Sequence, residues 1–164
     1  MRVLGIDPGL TLVGYGVINE EKGKQKSLTS GCISIDKQKD DPAKLKVIYN
    51  SLNEIIQEYL PQVVAIEKIF FNKNVTTAIR IGEARGVILL VSSMNELPVY
   101  EYTPLQIKQV VAGYGKAPKK QVEKMVQLQL GLHNDFTHDD EADALAVSLC
   151  HLFQNKWRET VEGR

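Results

Sequence analysis

Apolar positions along the chain change period several times, and each change marks an element. Val3, Leu4 and Ile6 form a short apolar run without helical spacing, which predicts a strand buried on both faces. The run ends in a carboxylate, Asp7, before Pro8-Gly9. Leu12 to Ile18 reads as a second strand, Lys22-Gly23-Lys24 as a turn and Lys26 to Ile35 as a third strand; connections this short predict an antiparallel meander. Asp41-Pro42 has the N-cap-plus-proline signature of a helix start. Leu45, Ile48, Leu52, Ile55, Ile56 and Tyr59 keep helical spacing up to Leu60, and Pro61 stops it. Val63 to Ile66 is again wholly apolar and again ends in an acid, Glu67. A long helix follows over Val75 to Met94, a short strand over Pro98 to Tyr102, and a helix capped by Thr103 and running to about Val111. The basic loop Gly113 to Pro118 is expected to be mobile. A further helix covers Lys119 to Leu130. The last starts near Thr137 or Asp139 and runs to Phe153, with Leu145, Leu149 and Leu152 as its buried side.

The order of these elements implies an α/β protein. A strand–helix–strand crossover is right-handed and gives parallel strands, so the strands ending in Asp7 and Glu67 are expected to point the same way. Neighbouring strands lie about 4.8 Å apart, close enough for the two acids to share a cation. Gly14 and Gly16 face one side of the second strand. They either let another backbone approach or relieve crowding in the sheet. In the last helix Asp140 and Asp143 share a face. Thr137 and Asp140 have capping-box spacing, which offers a structural reason for Asp140. It offers none for Asp143, set within Ala-Leu-Ala, where an unpaired carboxylate is costly. Ala78, Gly82 and Gly86 form a small-residue stripe that fits close packing on the protein's own sheet or on another element.

Composition narrows the class. With 164 residues, 43% hydrophobic and 24% charged, the chain is long enough for one core. It contains no apolar run of membrane-spanning length, and the N-terminus enters a strand directly, so no signal peptide and a cytoplasmic location are expected. Cys32 and Cys150 lack metal or redox spacing. The net charge is zero, but it is unevenly distributed. Between Tyr102 and Met125 five lysines face one acid. Between Lys68 and Leu90 four basic residues, Lys73 and Arg80 among them, face Glu83. Gly131 to Ala146 carries five acids and no Lys or Arg. Basic stretches beside an acidic cluster suit a metal-dependent enzyme acting on phosphates.

At Gly5-Ile-Asp-Pro-Gly9, Gly14-Tyr-Gly-Val17, Ala65-Ile-Glu67, Glu83-Ala-Arg-Gly86, Glu101-Tyr102 and Ala142-Asp-Ala-Leu-Ala146 the sequence resembles the RuvC family of Holliday-junction resolvases, in the ribonuclease H-like superfamily. The resemblance runs essentially from end to end. It implies a ribonuclease H-like domain over 1–157 with a short tail over 158–164. The sheet is expected to have five strands, three in the antiparallel meander plus two parallel, flanked by helices. It implies a homodimer that cuts four-way DNA junctions during recombination and repair, working with the RuvA–RuvB branch-migration complex. It assigns metal binding to Asp7, Glu67, Asp140 and Asp143, and catalytic roles to Lys108 and Lys119. It also assigns an aromatic near the junction centre to Phe70. Phe71, Lys73, Arg80, Lys116 and Lys120 complete the expected DNA-facing set. The sequence departs from the family pattern at His138-Asp139-Asp140-Glu141, where His138 or Asp139 competes with Asp140 to complete the metal site.

Carboxylates without a His/Cys cluster suit Mg²⁺, with Mn²⁺ as substitute, rather than zinc. Two such ions about 3.5–4 Å apart serve phosphodiester hydrolysis. On this reading Asp7 bridges the ions, Glu67 holds one, and Asp140 with Asp143 holds the other. The alternatives are a ribosomal-RNA-processing nuclease of the same superfamily, a phosphotransferase of the actin/sugar-kinase type, which needs a second such domain, and a non-catalytic DNA-binding module.

Overall fold

The computed structural model describes residues 1–9, 11–68 and 75–162. Strands β1 (Arg2–Asp7), β2 (Leu12–Glu21), β3 (Lys24–Ser34), β4 (Val63–Glu67) and β5 (Val99–Tyr102) form one sheet in the order β3-β2-β1-β4-β5. The β1–β2 and β2–β3 pairs are antiparallel, and β1–β4 and β4–β5 are parallel. The helices are α1 (Asp41–Tyr59), α2 (Val75–Met94), α3 (Pro104–Ala112), α4 (Lys119–Leu130) and α5 (Asp139–Glu162). This is the five-stranded mixed sheet that the resemblance implies.

Strand alternation sorts the core into two layers. Leu4, Ile6, Val13, Val17, Val64 and Ile66 face α1 and α2, where they meet Ile48, Leu52, Ile56, Ala84, Ile88 and Val91. Val3, Ile18, Val63 and Ala65 face the other side and meet Leu145, Leu149 and Leu152 of α5. Helices α3 and α4 close over α5 through Ile107, Val111, Val122 and Val126. Helix α5 thus lies between the sheet and a second helical layer. That explains why it is apolar on nearly every side from Ala142 to Leu152. Each fully buried Leu or Ile here contributes roughly 1.5–3 kcal/mol.

Several local expectations shift. The cap of α1 is Asp40, whose carboxylate accepts from the Ala43 N–H, and Asp41 is the first helical residue. Adjacent aspartates before a proline look alike in sequence, and the backbone geometry chooses between them. Helix α5 begins at Asp139, two residues beyond Thr137, so the Thr137–Asp140 spacing is not a cap. It continues past Phe153 to Glu162, because no proline or glycine interrupts 154–162. The β2–β3 hairpin turns on Lys22 and Gly23, both at positive φ, the geometry that matches strand twist. The small-residue stripe on α2 does not pack on its own sheet. A Cβ added at Gly82 or Gly86 meets nothing within 4 Å.

Candidate active site

The row of residues that crosses the sheet at the end of β1 carries the chemistry. Asp7 pairs with Gly14, Gly14 with Cys32, and Glu67 with Tyr102. Ile6 pairs with Ile66, so Asp7 and Glu67 are neighbours one step further along parallel strands. Alternation from Val3 and Val63 puts both acids on the face that α5 covers. The carboxylates therefore sit at the ends of two buried strands.

Glycines bring α5 down onto this row. A Cβ at Gly5 would stand 2.1 Å from the Ala144 carbonyl oxygen, one at Gly14 2.0 Å from that of Asp140, and one at Gly16 2.6 Å from Leu145 Cδ2. The bare strand face is thus a bed for a helix, not relief of crowding within the sheet. The contact at Gly14 seats the first turn of α5 beside Asp7, its register partner.

The acids of that turn then separate by partner. The Glu141 carboxylate accepts from Ser30 Oγ at 2.7 Å, which ties the turn to β3. Asp139, 70% exposed at its side chain, pairs with Lys119 at 3.2 Å. Asp140 and Asp143 are half-buried, and both act electrostatically on Asp7. His138 is exposed. Ser30 is a contributor that sequence reasoning missed: it lies 111 residues from its partner, and no local pattern marks it.

Burial first, then the charges of Glu67, Asp143 and Asp140, pushes Asp7 up to about 7. Burial, then Asp143, pushes Glu67 up to about 7 against the opposing charges of Lys108 and Lys119. Burial raises Asp143 as well, opposed by the hydrogen bond from Lys119. Lys119 Nζ stands 2.9 Å from Asp143 Oδ2. Burial works against its charge, but Asp143 and Asp139 together hold it above the ordinary lysine value.

Among the described residues no three His, Cys, Asp or Glu side chains already form a closed coordination set. Even so, oxygen donors that repel one another in a partly dry site fit a hard divalent cation, which would remove the repulsion. A pH effect follows. Free carboxylates titrate near 4, and these two retain their protons to about 7 in the folded chain. The native state therefore binds more protons across that interval, and its stability falls as pH rises through 7. Thermal melts in EDTA should show a lower Tm at pH 8 than at pH 5.5. Added Mg²⁺ should raise Tm far more at pH 8. A metal effect equal at both values would show that these carboxylates do not hold the ion.

Lys108 and Lys119 reach the site from α3 and α4. With Glu67, Asp143, Pro104, Ile107, Val122 and Ala146 they line a cavity of about 170 Å³. A larger cavity, about 240 Å³, opens on the α1/α2 side with Arg80, Lys37 and Lys44 on its rim. It contains none of the four carboxylates, so size does not identify the reactive site, and Arg80 lines this cavity and not the one with Glu67 and Asp143. Lys116 is exposed in the α3–α4 loop and Lys120 in the first turn of α4. Phe70, Phe71 and Lys73 lie outside the described residues.

A mixed sheet with acids at the ends of its two central parallel strands, met by acids from a helix laid across them, defines a ribonuclease H-like nuclease. The family model described as crossover junction endodeoxyribonuclease RuvC matches residues 3–151, and this chain belongs to that family. It is 48% identical to the RuvC crossover junction endodeoxyribonuclease of Moorella thermoacetica over 159 residues, covering 97% of this chain and 95% of that one. It is 51% identical to that of Syntrophomonas wolfei over 163 residues, covering 99% and 95%. The structure of Thermus thermophilus RuvC in complex with Holliday junction substrate superposes with a TM-score of 0.91 at 34% identity, covering 96% of each chain. These likenesses favour junction DNA over the ribosomal-RNA, phosphotransferase and non-catalytic alternatives. No helix among the described residues is long and apolar enough to cross a membrane.

Proposed function

We propose that this chain resolves four-way DNA junctions by paired, Mg²⁺-dependent hydrolysis of two phosphodiesters, one in each protomer of a homodimer. The observation that supports it most directly is the set of raised-pKa acids, Asp7, Glu67 and Asp143, joined by Asp140 and rimmed by Lys108 and Lys119. Asp7 would be shared by two ions, with Glu67 on one and Asp140 with Asp143 on the other. When bound, such ions activate water and stabilise a leaving oxygen. Lys108 and Lys119 place positive charge on the wall of the cavity where the phosphate would lie, and so stabilise charge that develops there. Phe70 and Phe71 are proposed to meet bases at the crossover. Lys116 and Lys120 are proposed to meet phosphates of the arms, and Lys73 and Arg80 to meet DNA elsewhere, Arg80 from the α1/α2 side of the sheet. We place the enzyme in the cytoplasm, coupled to the RuvA–RuvB motor, with residues 1–157 as its nuclease domain.

The test is incubation with a synthetic four-way junction and a matched linear duplex. Symmetric nicks in opposite strands should appear on the junction with Mg²⁺ and disappear in EDTA. Equal cutting of the linear duplex would overturn the assignment.

The proposed dimer is supported by the outer face of α2, where Ile79, Leu90 and Met94 are 58%, 54% and 62% exposed beside Gly82 and Gly86. Two matched cuts on a substrate with approximate two-fold symmetry suit a C₂ pair. Because a Cβ at Gly82 meets nothing within 4 Å and the residue is exposed, Gly82→Leu should leave the fold intact and shift sedimentation to monomer. A folded variant that remains dimeric would remove this face from the interface.

A further inference from the structure

The α3–α4 loop, expected to be mobile, is pinned. Gln109 Nε2 donates to the Gly113 carbonyl at 2.9 Å, and Gln109 Oε1 accepts from the Gly115 N–H at 3.1 Å. The Ala117 N–H donates to the Tyr114 carbonyl at 3.0 Å, and Ala117 itself is 1% exposed. Gly113 ends α3 in the left-handed region. Gly115 folds back against Leu105, so closely that an added Cβ would lie 3.0 Å from Leu105 Cγ.

None of these anchors uses the Tyr114 ring. It is 56% exposed, and Leu105, packed against the next residue of the loop, is 60% exposed. Single exposed apolar groups are ordinary. Here one stands on the loop and the other on α3, joined through Gly115, and their position is informative. Leu105 follows Pro104, which lines the catalytic cavity, and lies one turn before Lys108, which also lines it. From Pro104 to Lys120 there are four lysines and no acid. An exposed ring on a lysine-bearing loop at the edge of the catalytic cavity matches a nucleic acid strand, which offers phosphate to the lysines and a base face to the ring.

We propose that Tyr114 stacks on a base of the strand whose phosphate enters the catalytic cavity, with Lys116 contacting a phosphate beside it. This inference rests on the junction-nuclease reading. Because the loop backbone is already hydrogen-bonded, binding has to order little beyond the ring's own rotamer.

The test uses the full-length protein and junctions carrying 2-aminopurine at single positions around the exchange point. Wild type should quench fluorescence at one of them. Tyr114→Ala should abolish that change and weaken junction binding about 5–150-fold, the range for loss of one stacked base. Its thermal midpoint should not move, because the ring is exposed. Tyr114→Phe should restore both signals. If Tyr114→Ala binds, quenches and cuts like wild type, the inference is overturned while the nuclease assignment stands. If Tyr114→Phe is as weak as Tyr114→Ala, the ring does not act by stacking and the inference is likewise overturned. Failure of wild type to cut the junction at all would instead remove the reading beneath it.

Discussion

Asp7→Asn should reduce junction cleavage by at least about 10³-fold, equivalent to roughly 4 kcal/mol of transition-state stabilisation, while making the metal-free protein more stable. The two effects have one cause. Asp7 ends a buried strand, and burial together with three other carboxylates raises its pKa to about 7. At pH 8 it is ionised against that environment, so a neutral amide of the same shape relieves repulsion. For a chain of this length each 1 kcal/mol gained raises Tm by roughly 2–4 °C. The amide is a poor ligand for a hard cation, so the metal-dependent rise in Tm should disappear along with cleavage. Junction binding should persist or tighten, because one negative charge facing phosphate is gone. Cleavage near the wild-type rate, or a lower Tm in EDTA, would show that Asp7 is a structural turn residue and that the catalytic carboxylates lie elsewhere.

Gly14→Ala should reduce cleavage about 10²-fold without touching any group that meets the substrate. The added methyl would stand 2.0 Å from the Asp140 carbonyl oxygen and 2.5 Å from its carbon, both main-chain atoms that no rotamer change can move. The first turn of α5 must lift by more than an ångström to restore ordinary contact. Misplacing catalytic groups by about 1 Å costs on the order of 10²-fold in rate, and overpacking a tight contact costs about 1–3 kcal/mol in stability. The variant should therefore melt several degrees lower yet stay folded at 25 °C. In calorimetric titration with Mn²⁺ it should bind the ion more weakly, and its junction affinity should remain close to wild type. Loss of stability with unchanged ion binding and cleavage would mean that α5 does not set the position of Asp140.

The chain's own pattern determined a good deal of this. The limits of α2 and α4 follow from periodic apolar positions between clear breaks, and the structure reproduces both spans. The two apolar strands ending in acids, with a helix between them, implied parallel strands, and the sheet makes them neighbours with Asp7 and Glu67 side by side. These are local or nearest-neighbour properties, set by a repeat of two or 3.6 residues and a right-handed crossover.

Tertiary structure decided the rest. Three consecutive acids, Asp139, Asp140 and Glu141, are equivalent to any local rule. They were separated by the rotation of α5 on Gly5, Gly14 and Gly16, by Lys119 from α4 and by Ser30 from β3. The glycine stripe of α2 was equally ambiguous until the core chose Ala84, Ile88 and Val91 as its buried side and left Gly82 and Gly86 outside. The α3–α4 loop read as mobile because glycines and lysines carry no packing signal, whereas its order comes from Gln109 reaching forward past the end of α3. In each case the deciding contact joins groups on different elements. Its energy depends on distances that exist only once the layers have packed, so no spacing within a single segment could encode it.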